Sequence, residues 1–239
     1  MQEIPKYKRV LIKLSGEVMA GEGRVGIDPT SLRSLALEIK ELHDLSVEIA
    51  LVIGGGNLIR GASATGYDIE RVTADQVGML TTIINGLFLR DLLERIGIST
   101  TLQSAVPIGE MVAPYERVSA IKDLRDKKVV ILVGGLGNPF FTTDTAASLR
   151  ALEIGVEIIL KATKVEGVYD SDPLKNPSAV KFDYIPYEEV LQRNLRVIDS
   201  TAIALCMEHK LSLVVFNVGV RGNMKKIILG EKEGTFIGG

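Results

Sequence analysis

Cysteine and histidine are both scarce in this sequence. The single cysteine, Cys206, lies in the apolar segment AIALCMEHKL, so we expect a buried structural thiol and no disulfide within the chain. The two histidines, His43 and His209, stand far apart, which argues against a histidine-ligated metal site. Serine-nucleophile chemistry at Ser15 is also disfavoured, because no histidine lies within a triad-like motif.

Long runs of one residue type are missing as well. Lysine and arginine (28 residues) nearly balance aspartate and glutamate (30 residues), and no long basic run appears, which disfavours a nucleic-acid-binding protein. The apolar runs are about five residues long, far below the roughly 20 that span a bilayer. An acidic residue and a proline precede the first apolar stretch, so we expect no signal peptide and a cytoplasmic location.

A repeated strand-then-helix pattern organises the rest of the chain. Five short apolar stretches end in glycine or small polar residues, and such continuously apolar strands are typical of parallel sheets buried on both faces. The predicted strands are Arg9–Leu14, Val47–Ile53, Lys128–Val133, Val156–Leu160 and Leu213–Phe216. Strands that alternate with helices predict an α/β fold, a three-layer αβα sandwich around a mainly parallel sheet, in a single domain over residues 1–239.

Helical signals lie between these strands. The pair Asp28–Pro29 is typical of an N-cap and a first helical residue. The apolar stripe that follows consists of Leu32, Leu35, Ala36, Ile39 and Leu42. A longer helix is predicted from Val77, Leu80, Ile84, Leu87 and Leu92. A third helix starts at Thr143–Asp144, and the proline-containing stretch Tyr169–Asp183 predicts an irregular surface loop.

Three loops that follow predicted strands are rich in glycine: Lys13–Gly16 (KLSG), Gly54–Asn57 (GGGN) and Gly134–Gly137 (GGLG). Ligands of an open parallel sheet bind beyond the carboxyl ends of its strands, and glycine lets backbone N–H groups approach a phosphate closely. The loops therefore predict a phosphate site at one sheet edge. The P-loop, the dinucleotide fingerprint and the protein-kinase motifs are absent, which excludes those classes.

Charged residues near the glycine loops suit phosphoryl transfer. Lys13 is the only charge in VLIKLSG, Lys161 is placed at the end of another strand, and Arg60 follows the triple glycine closely. Asp75 and Asp144 are placed at helix starts, where an N-cap is the alternative to a functional role. Phosphoryl transfer requires mainly positioning and charge neutralisation by lysine, arginine and Mg²⁺. The set predicts transfer of a phosphoryl group from ATP to a small anion.

Six segments of the chain carry a family pattern: Lys13–Glu17 (KLSGE), Val52–Gly61 (VIGGGNLIRG), Gly137–Asp144 (GNPFFTTD), Leu160–Pro173, Val215–Asn217 and Gly230–Thr235. In this order and spacing they resemble the bacterial-type uridylate (UMP) kinases of the amino acid kinase family. The resemblance implies an amino acid kinase fold and the conversion of UMP to UDP with ATP and Mg²⁺, a step of pyrimidine biosynthesis. It also implies a cytoplasmic homohexamer under allosteric control, commonly with GTP as activator and UTP as inhibitor.

The resemblance also assigns roles to individual residues. The implied ATP-binding residues are Lys13, Leu14, Ser15, Gly16, Gly56, Arg60, Thr163, Tyr169 and Asp172. The implied UMP-binding residues are Gly55, Asp75, Leu136, Gly137, Asn138, Pro139, Phe140, Phe141, Thr142 and Thr143. The implied catalytic residues are Lys13, Arg60, Asp144 and Lys161. Mg²⁺ would be held mainly by the ATP phosphates, and Asp199 aligns with a family aspartate near the site.

One departure from the family and two alternative functions remain at this level. Leu136 stands where the family usually has threonine, so a side-chain hydroxyl contact to UMP is lost there. A sister kinase acting on a carboxylate, a carbamate or another phosphate monoester is one alternative, although the aromatic pair Phe140–Phe141 favours a nucleobase-bearing acceptor. A non-catalytic nucleotide-binding or oxyanion-storage protein is the other, and it would not need the catalytic set. Within one domain, we expect an acceptor-side N-terminal lobe and an ATP-side C-terminal lobe.

Overall fold

The computed structural model of the chain describes residues 3–23, 25–58, 69–173, 175–195 and 197–239. Nine strands in these residues form one sheet: β1 (Arg9–Leu14), β2 (Glu48–Ile53), β3 (Thr100–Ser104), β4 (Ala113–Pro114), β5 (Val129–Val133), β6 (Ile158–Thr163), β7 (Tyr184–Pro186), β8 (Leu213–Asn217) and β9 (Thr235–Gly238). Their order across the sheet is β4-β3-β5-β2-β1-β6-β8-β9-β7. Neighbouring strands are parallel except β8 and β9, which confirms the predicted mainly parallel sheet.

Helices cover both faces of this sheet. They are α1 (Gly16–Met19), α2 (Pro29–Asp44), α3 (Arg71–Arg95), α4 (Arg117–Arg125), α5 (Thr143–Ile154), α6 (Tyr187–Gln192), α7 (Ser200–Glu208) and α8 (Asn223–Leu229). Because successive side chains of a strand point to opposite faces, β1 contributes to two separate cores. Val10 and Ile12 pack with α2, α3 and α8, whereas Leu11 packs with α4, α5 and α7. The three-layer αβα arrangement is confirmed.

Helix α2 begins where the sequence predicts. Asp28 is the N-cap, and its carboxylate accepts a hydrogen bond from the backbone N–H of Ser31 at 2.7 Å, while Pro29 takes the first helical position. The predicted apolar stripe is buried along its whole length: Leu32, Leu35, Ala36, Ile39 and Leu42. Burial of this stripe fixes α2 against the same face of the sheet as α3.

Helix α3 differs from an ordinary amphipathic helix. Two of the apolar residues that predict it, Leu80 and Ile84, are 51% and 41% exposed, so they do not face the core. The buried face instead carries small and polar residues, among them Thr82 and Asn85, together with the core residue Leu89. By length and composition alone α3 could span a bilayer, and 44% of that apolar window is buried in the fold.

The boundaries of β6 place a lysine inside the sheet. The sequence predicts a strand over Val156–Leu160, but β6 starts two residues later, at Ile158, and continues to Thr163. Lys161 is therefore within the strand instead of following it. The strand continues through this charge because a buried carboxylate meets it, as described below. The predicted surface loop is confirmed, since its described residues show only an isolated bridge between Tyr169 and Lys181.

Cys206 is the structural thiol that the sequence predicts. It is fully buried on α7, and its thiol donates a hydrogen bond to the Ser148 hydroxyl at 3.3 Å. Burial raises the pKa of this thiol to about 11. At neutral pH the group is a protonated, unreactive part of the core.

Candidate active site

The three glycine-rich loops meet at one edge of the sheet. Strands β5, β2 and β1 are neighbours, so the loops that follow their carboxyl ends converge, as the sequence predicts. The N–H of Gly54 donates to the carbonyl of Leu14 at 2.8 Å and joins the first two loops directly. A Cβ atom at Gly16 would lie 2.6 Å from the backbone nitrogen of Gly56, so only glycine allows these backbones to pack this closely.

Two buried lysines and one buried aspartate form the charged centre of this edge. Lys13 of β1 and Lys161 of β6 are direct partners in the parallel register and are 8% and 7% exposed. The Lys13 ammonium lies 2.9 Å from the Asp144 carboxylate and forms an ion pair with it. Lys161 donates a hydrogen bond to the other carboxylate oxygen, so one aspartate holds both lysines.

Electrostatics fix the ionisation of this cluster. Burial alone would raise the pKa of Asp144, but the Lys13 and Lys161 ammonium groups outweigh it and hold that pKa well below its usual range. For Lys161, burial lowers the pKa and Lys13 adds to the effect, while Asp144 opposes it. With both lysines protonated, the cluster carries one net positive charge, which suits the binding of phosphate oxygens.

The start of α5 shows that Asp144 is not a helix cap. Thr142 is the N-cap, and its hydroxyl oxygen accepts from the backbone N–H groups of Asp144 at 3.0 Å and Thr145 at 3.3 Å. The Thr142 hydroxyl also donates to the carboxylate of Asp199, which itself caps α7. Asp199 therefore ties the starts of two helices together beside the charged cluster, and the Asp144 side chain is left for the lysines.

A cavity of about 330 Å³ opens beside the loops that follow β2 and β5. Many of the residues implied in UMP binding line it, namely Gly55, Asp75, Leu136, Asn138, Phe141, Thr142 and Thr143. Gly56, implied in ATP binding, lines it as well, whereas Gly137, Pro139 and Phe140 belong to the same loop but do not line the cavity. We call this cavity the acceptor pocket.

Helix α3 forms one wall of the acceptor pocket. It contributes Asp75 and also Ala74, Gly78, Met79 and Thr82, which sequence reasoning missed. Asp75 lies in the second turn of a helix that starts at Arg71, so the N-cap alternative is wrong for this residue. Its carboxylate instead pairs with Arg71 at 2.8 Å and accepts from the N–H of Phe140 at 2.8 Å. Asp75 thus holds the loop that closes the pocket.

A second cavity of about 530 Å³ follows β6, and we call it the nucleotide pocket. Tyr169 and Asp172 line it, as the resemblance implies for an ATP site. Its other lining residues are Val165, Gly167, Val168, Ser171, Pro173, Lys175, Asn194, Leu195 and Val197. Thr163 does not line this pocket; its hydroxyl donates to the carbonyls of Val165 at 2.8 Å and Phe216 at 3.1 Å and fixes the start of the loop.

The remaining implied residues differ in what they present to the site. Ser15 is the N-cap of α1, and its hydroxyl oxygen accepts from the N–H of Glu17 at 3.3 Å. The Leu14 side chain is fully buried in the core, so only its backbone is near the site. Arg60 lies outside the residues that the structure describes.

The residues present are suited to a metal ion that is carried by a nucleotide. The Asp144 carboxylate is already engaged by two lysines, and no group of three acidic, histidine or cysteine side chains suited to a metal occurs within the described ranges. A magnesium ion bound to ATP phosphates would need only the phosphates and water as ligands. The arrangement therefore fits a metal that enters with its nucleotide.

Comparisons with known proteins agree with this geometry. The profile of the amino acid kinase family matches residues 8–217. A uridylate kinase of Legionella pneumophila (strain Lens) is 53% identical over 233 residues, covering 98% of this chain and 94% of that protein.

Solved structures give the same result. The crystal structure of UMP kinase from Bacillus anthracis superimposes with a TM-score of 0.94 at 40% identity, over 97% of this chain and 96% of that one. UMP kinase from Ureaplasma parvum has a TM-score of 0.91 at 35% identity, over 98% and 100% of the two chains. The three relatives described above are uridylate (UMP) kinases, and the chain belongs to the amino acid kinase family.

Proposed function

We propose that this chain is a UMP kinase, which transfers the γ-phosphoryl group of ATP to UMP and yields UDP and ADP. The observation that carries the proposal is the position of the Lys13–Asp144–Lys161 cluster. In the strand order, β1 with Lys13 lies between β2, whose loop lines the acceptor pocket, and β6, whose following loop lines the nucleotide pocket. A phosphoryl group passing between the two pockets would meet the buried positive charge.

The residues divide the work of transfer. Lys13 and Lys161 would neutralise the charge on the transferring phosphoryl group, where preorganised cations are worth most because the site is shielded from water. Asp144 would aim both ammonium groups without itself touching a substrate. The backbones of Gly16 and Gly56 pack closely together, and their N–H groups would bind phosphate oxygens. Arg60 would add a guanidinium to the same phosphates.

ATP-dependent transfer in this family uses a divalent metal, and we propose Mg²⁺ carried by the ATP phosphates. The metal would supply further neutralisation of phosphate charge. The protein's own part is the cluster of two lysines, because Asp144 is committed to them and is not free as a metal ligand.

The nature of the acceptor pocket favours a nucleotide over a smaller anion. Phe141 lines it together with Leu136, Met79 and Thr82, a mixture of apolar and hydroxyl groups that suits a base and a ribose better than a carboxylate alone. The sister-kinase alternative is therefore not favoured. A storage protein is also not favoured, because simple retention of an anion would not require two buried lysines aligned on one carboxylate.

The test is an ADP-release assay with ATP and Mg²⁺ across UMP, CMP, AMP, GMP and small carboxylates. We expect kcat/KM for UMP to exceed that for CMP by far, since the resemblance is to UMP-specific enzymes. Lys13→Met, which removes one charge from the cluster, serves as the matched inactive control. Comparable kcat/KM for UMP and CMP would contradict the specificity, and turnover of a carboxylate in place of UMP would contradict the function.

Organisation beyond the single site is part of the proposal. The acceptor pocket is built from residues 55–143 and the nucleotide pocket from residues 165–197, which supports an acceptor-side N-terminal lobe and an ATP-side C-terminal lobe in one domain. Exposed Leu80, Ile84 and Phe88 on α3 support self-association, and we propose a cytoplasmic homohexamer. Regulation by GTP and UTP belongs to the same proposal and rests on the resemblance.

A further inference from the structure

The buried face of α3 is fastened to the glycine loops by polar side chains. The Thr82 hydroxyl accepts from the N–H of Gly134 at 2.7 Å and holds the loop after β5. Asn85, one turn further along, reaches the loop after β2. Thr82 and Asn85 are 2% and 0% exposed, so these contacts are shielded from water. A helix outside the glycine loops therefore sets where both of them lie.

Asn85 forms a reciprocal amide pair with Asn57 of the triple-glycine loop. The Asn85 amide donates to Asn57 Oδ1 at 2.7 Å, and the Asn57 amide donates to Asn85 Oδ1 at 2.9 Å. The second hydrogen of Asn85 goes to the carbonyl of Gly54 at 2.9 Å, and that of Asn57 goes to the carbonyl of Gly26 at 2.9 Å. Both amides use both of their hydrogens, which fixes their orientation and leaves the loop one position.

The loop that this pair holds has little freedom to move without affecting the site. Its first residue, Gly54, is bonded to β1, and its third, Gly56, lies against Gly16 of the first glycine loop. A Cβ at Gly55 would lie 2.5 Å from the carbonyl oxygen of Gly78 on α3, so the loop is wedged between β1 and α3. The Asn85–Asn57 pair joins this loop to α3 a second time.

We propose that Asn85, through its pair with Asn57, is a positioning residue that sets the triple-glycine loop for phosphoryl transfer. The proposal rests on the proposed function, because the loop matters for rate only if phosphates bind against it. Asn85 lines neither described pocket and acts through the loop backbone. A displacement of about 1 Å in such a loop can cost on the order of 100-fold in rate, since transfer depends on the geometry of the reacting groups.

Two substitutions of Asn85 test the role. Asn85→Leu keeps a side chain of similar size but removes the amide, and Asn85→Ser leaves a short hydroxyl in a small cavity. The matched control is Thr81→Val on the same helix, because Thr81 is also buried and its hydroxyl donates to the Val77 carbonyl within the helix at 3.0 Å. For each protein we would measure kcat, KM for both substrates, UMP affinity by calorimetry and the thermal midpoint.

We expect both Asn85 variants to lose about 10- to 100-fold in kcat, while UMP affinity changes by less than about threefold. The split arises because the triple-glycine loop contributes only Gly55 and Gly56 to the lining of the acceptor pocket, while α3 and the loop after β5 form the rest of it. Thr81→Val should keep kcat within about threefold of the wild type. A loss confined to stability would not produce this split between kcat and affinity in the folded fraction.

Three results would overturn the positioning role. Folded Asn85 variants with wild-type kcat would show that the amide pair does not set the loop for transfer. An equal loss in kcat for Thr81→Val would make the effect a general property of the helix. Failure of both Asn85 variants to fold would assign the pair to core stability alone. Failure of the proposed function is distinguishable, because the wild type itself would then not convert UMP.

Discussion

Substitution of Asp144 is the most direct test of how the charged cluster works. Asp144→Asn keeps the shape of the side chain but removes the charge that holds Lys13 and Lys161. Two buried ammonium groups would then face each other across neighbouring strands without the carboxylate that binds both of them. Removing one partner of a buried ion pair typically costs about 3–5 kcal/mol, because the remaining charge is stranded.

The expected effects on stability and rate follow from these contacts. At about 2–4 °C per kcal/mol for a chain of this size, the thermal midpoint should fall by roughly 6–20 °C. The rate should fall about 10²- to 10³-fold in kcat, the usual cost of losing one preorganised electrostatic contact. UMP affinity should fall much less, since the acceptor pocket is lined by other residues.

The double variant Lys13→Met/Asp144→Asn separates pairing from independent action. If Asp144 acts by aiming Lys13, the double variant should be little slower than either single variant. The double variant should be more stable than Asp144→Asn. It leaves one buried ammonium group without its carboxylate partner, whereas Asp144→Asn leaves two. Fully additive losses in kcat, or a double variant less stable than both singles, would refute the pairing.

The pH dependence adds a check on the sign of this effect. The pKa of Asp144 is lowered in the folded state, so its carboxylate contributes stability above the ordinary pKa of 3.8 and loses it as the pH falls through the folded pKa. The stability difference between wild type and Asp144→Asn should therefore shrink under strongly acidic conditions, where the wild-type carboxylate takes up a proton. It should also narrow as the pH rises towards the pKa of Lys161, because burial and Lys13 lower that pKa and the variant lacks the carboxylate that opposes them. Chemical denaturation at several pH values would measure both changes.

Other substitutions test separate parts of the site. Gly78 lines the acceptor pocket, and a Cβ there would enter open space. Gly78→Leu should therefore raise KM for UMP at least about ten-fold, whereas Gly78→Ala should stabilise α3 by about 0.5–1 kcal/mol. An unchanged KM for the leucine variant would contradict this. Thr142→Val removes the cap of α5 and the contact to Asp199, so it should lower the free energy of unfolding by about 1 kcal/mol, and Thr142→Ser should restore it. Arg60→Ala should lower kcat/KM at least about ten-fold, or about 1.4 kcal/mol, and near-wild-type kinetics with an intact assembly would return Arg60 to a structural role.

Strands that are apolar on both faces can be predicted from the sequence. Strands without a continuous apolar run cannot. The five apolar stretches all correspond to strands of the sheet, with bounds that shift by a few residues. Strand β3 (TTLQS) carries no such run, because it lies near the sheet edge and two of its residues are partly exposed. Strands β4 and β7 contain two and three residues, too few for a periodic signal.

The charged centre of the site is predictable because its residues break the local pattern. A lysine within a buried strand requires a partner, so Lys13 and Lys161 stand out. The family resemblance assigns a catalytic role to Asp144, which the sequence places at a helix start. Asn85, Thr82 and Gly78 give no comparable signal. Polar and small residues on a helix ordinarily indicate its solvent face, and nothing local in the sequence reveals that these face inward.

Helix α3 has polar residues on much of its buried face and apolar residues on its exposed face. This arrangement explains why the sequence did not reveal the role of Asn85, Thr82 and Gly78. The face that holds the glycine loops must carry hydroxyl and amide groups, since loop backbones present N–H and C=O groups that need partners when buried. That requirement removes large apolar residues from much of the inner face and leaves Leu80, Ile84 and Phe88 on the outer one. At Leu80 and Ile84 the hydrophobic pattern therefore indicates a surface of α3 that is open to another partner, whereas Leu87 and Leu92 of the same pattern pack against the core. The residues that organise the loops lie on the opposite side, where only the three-dimensional structure reveals them.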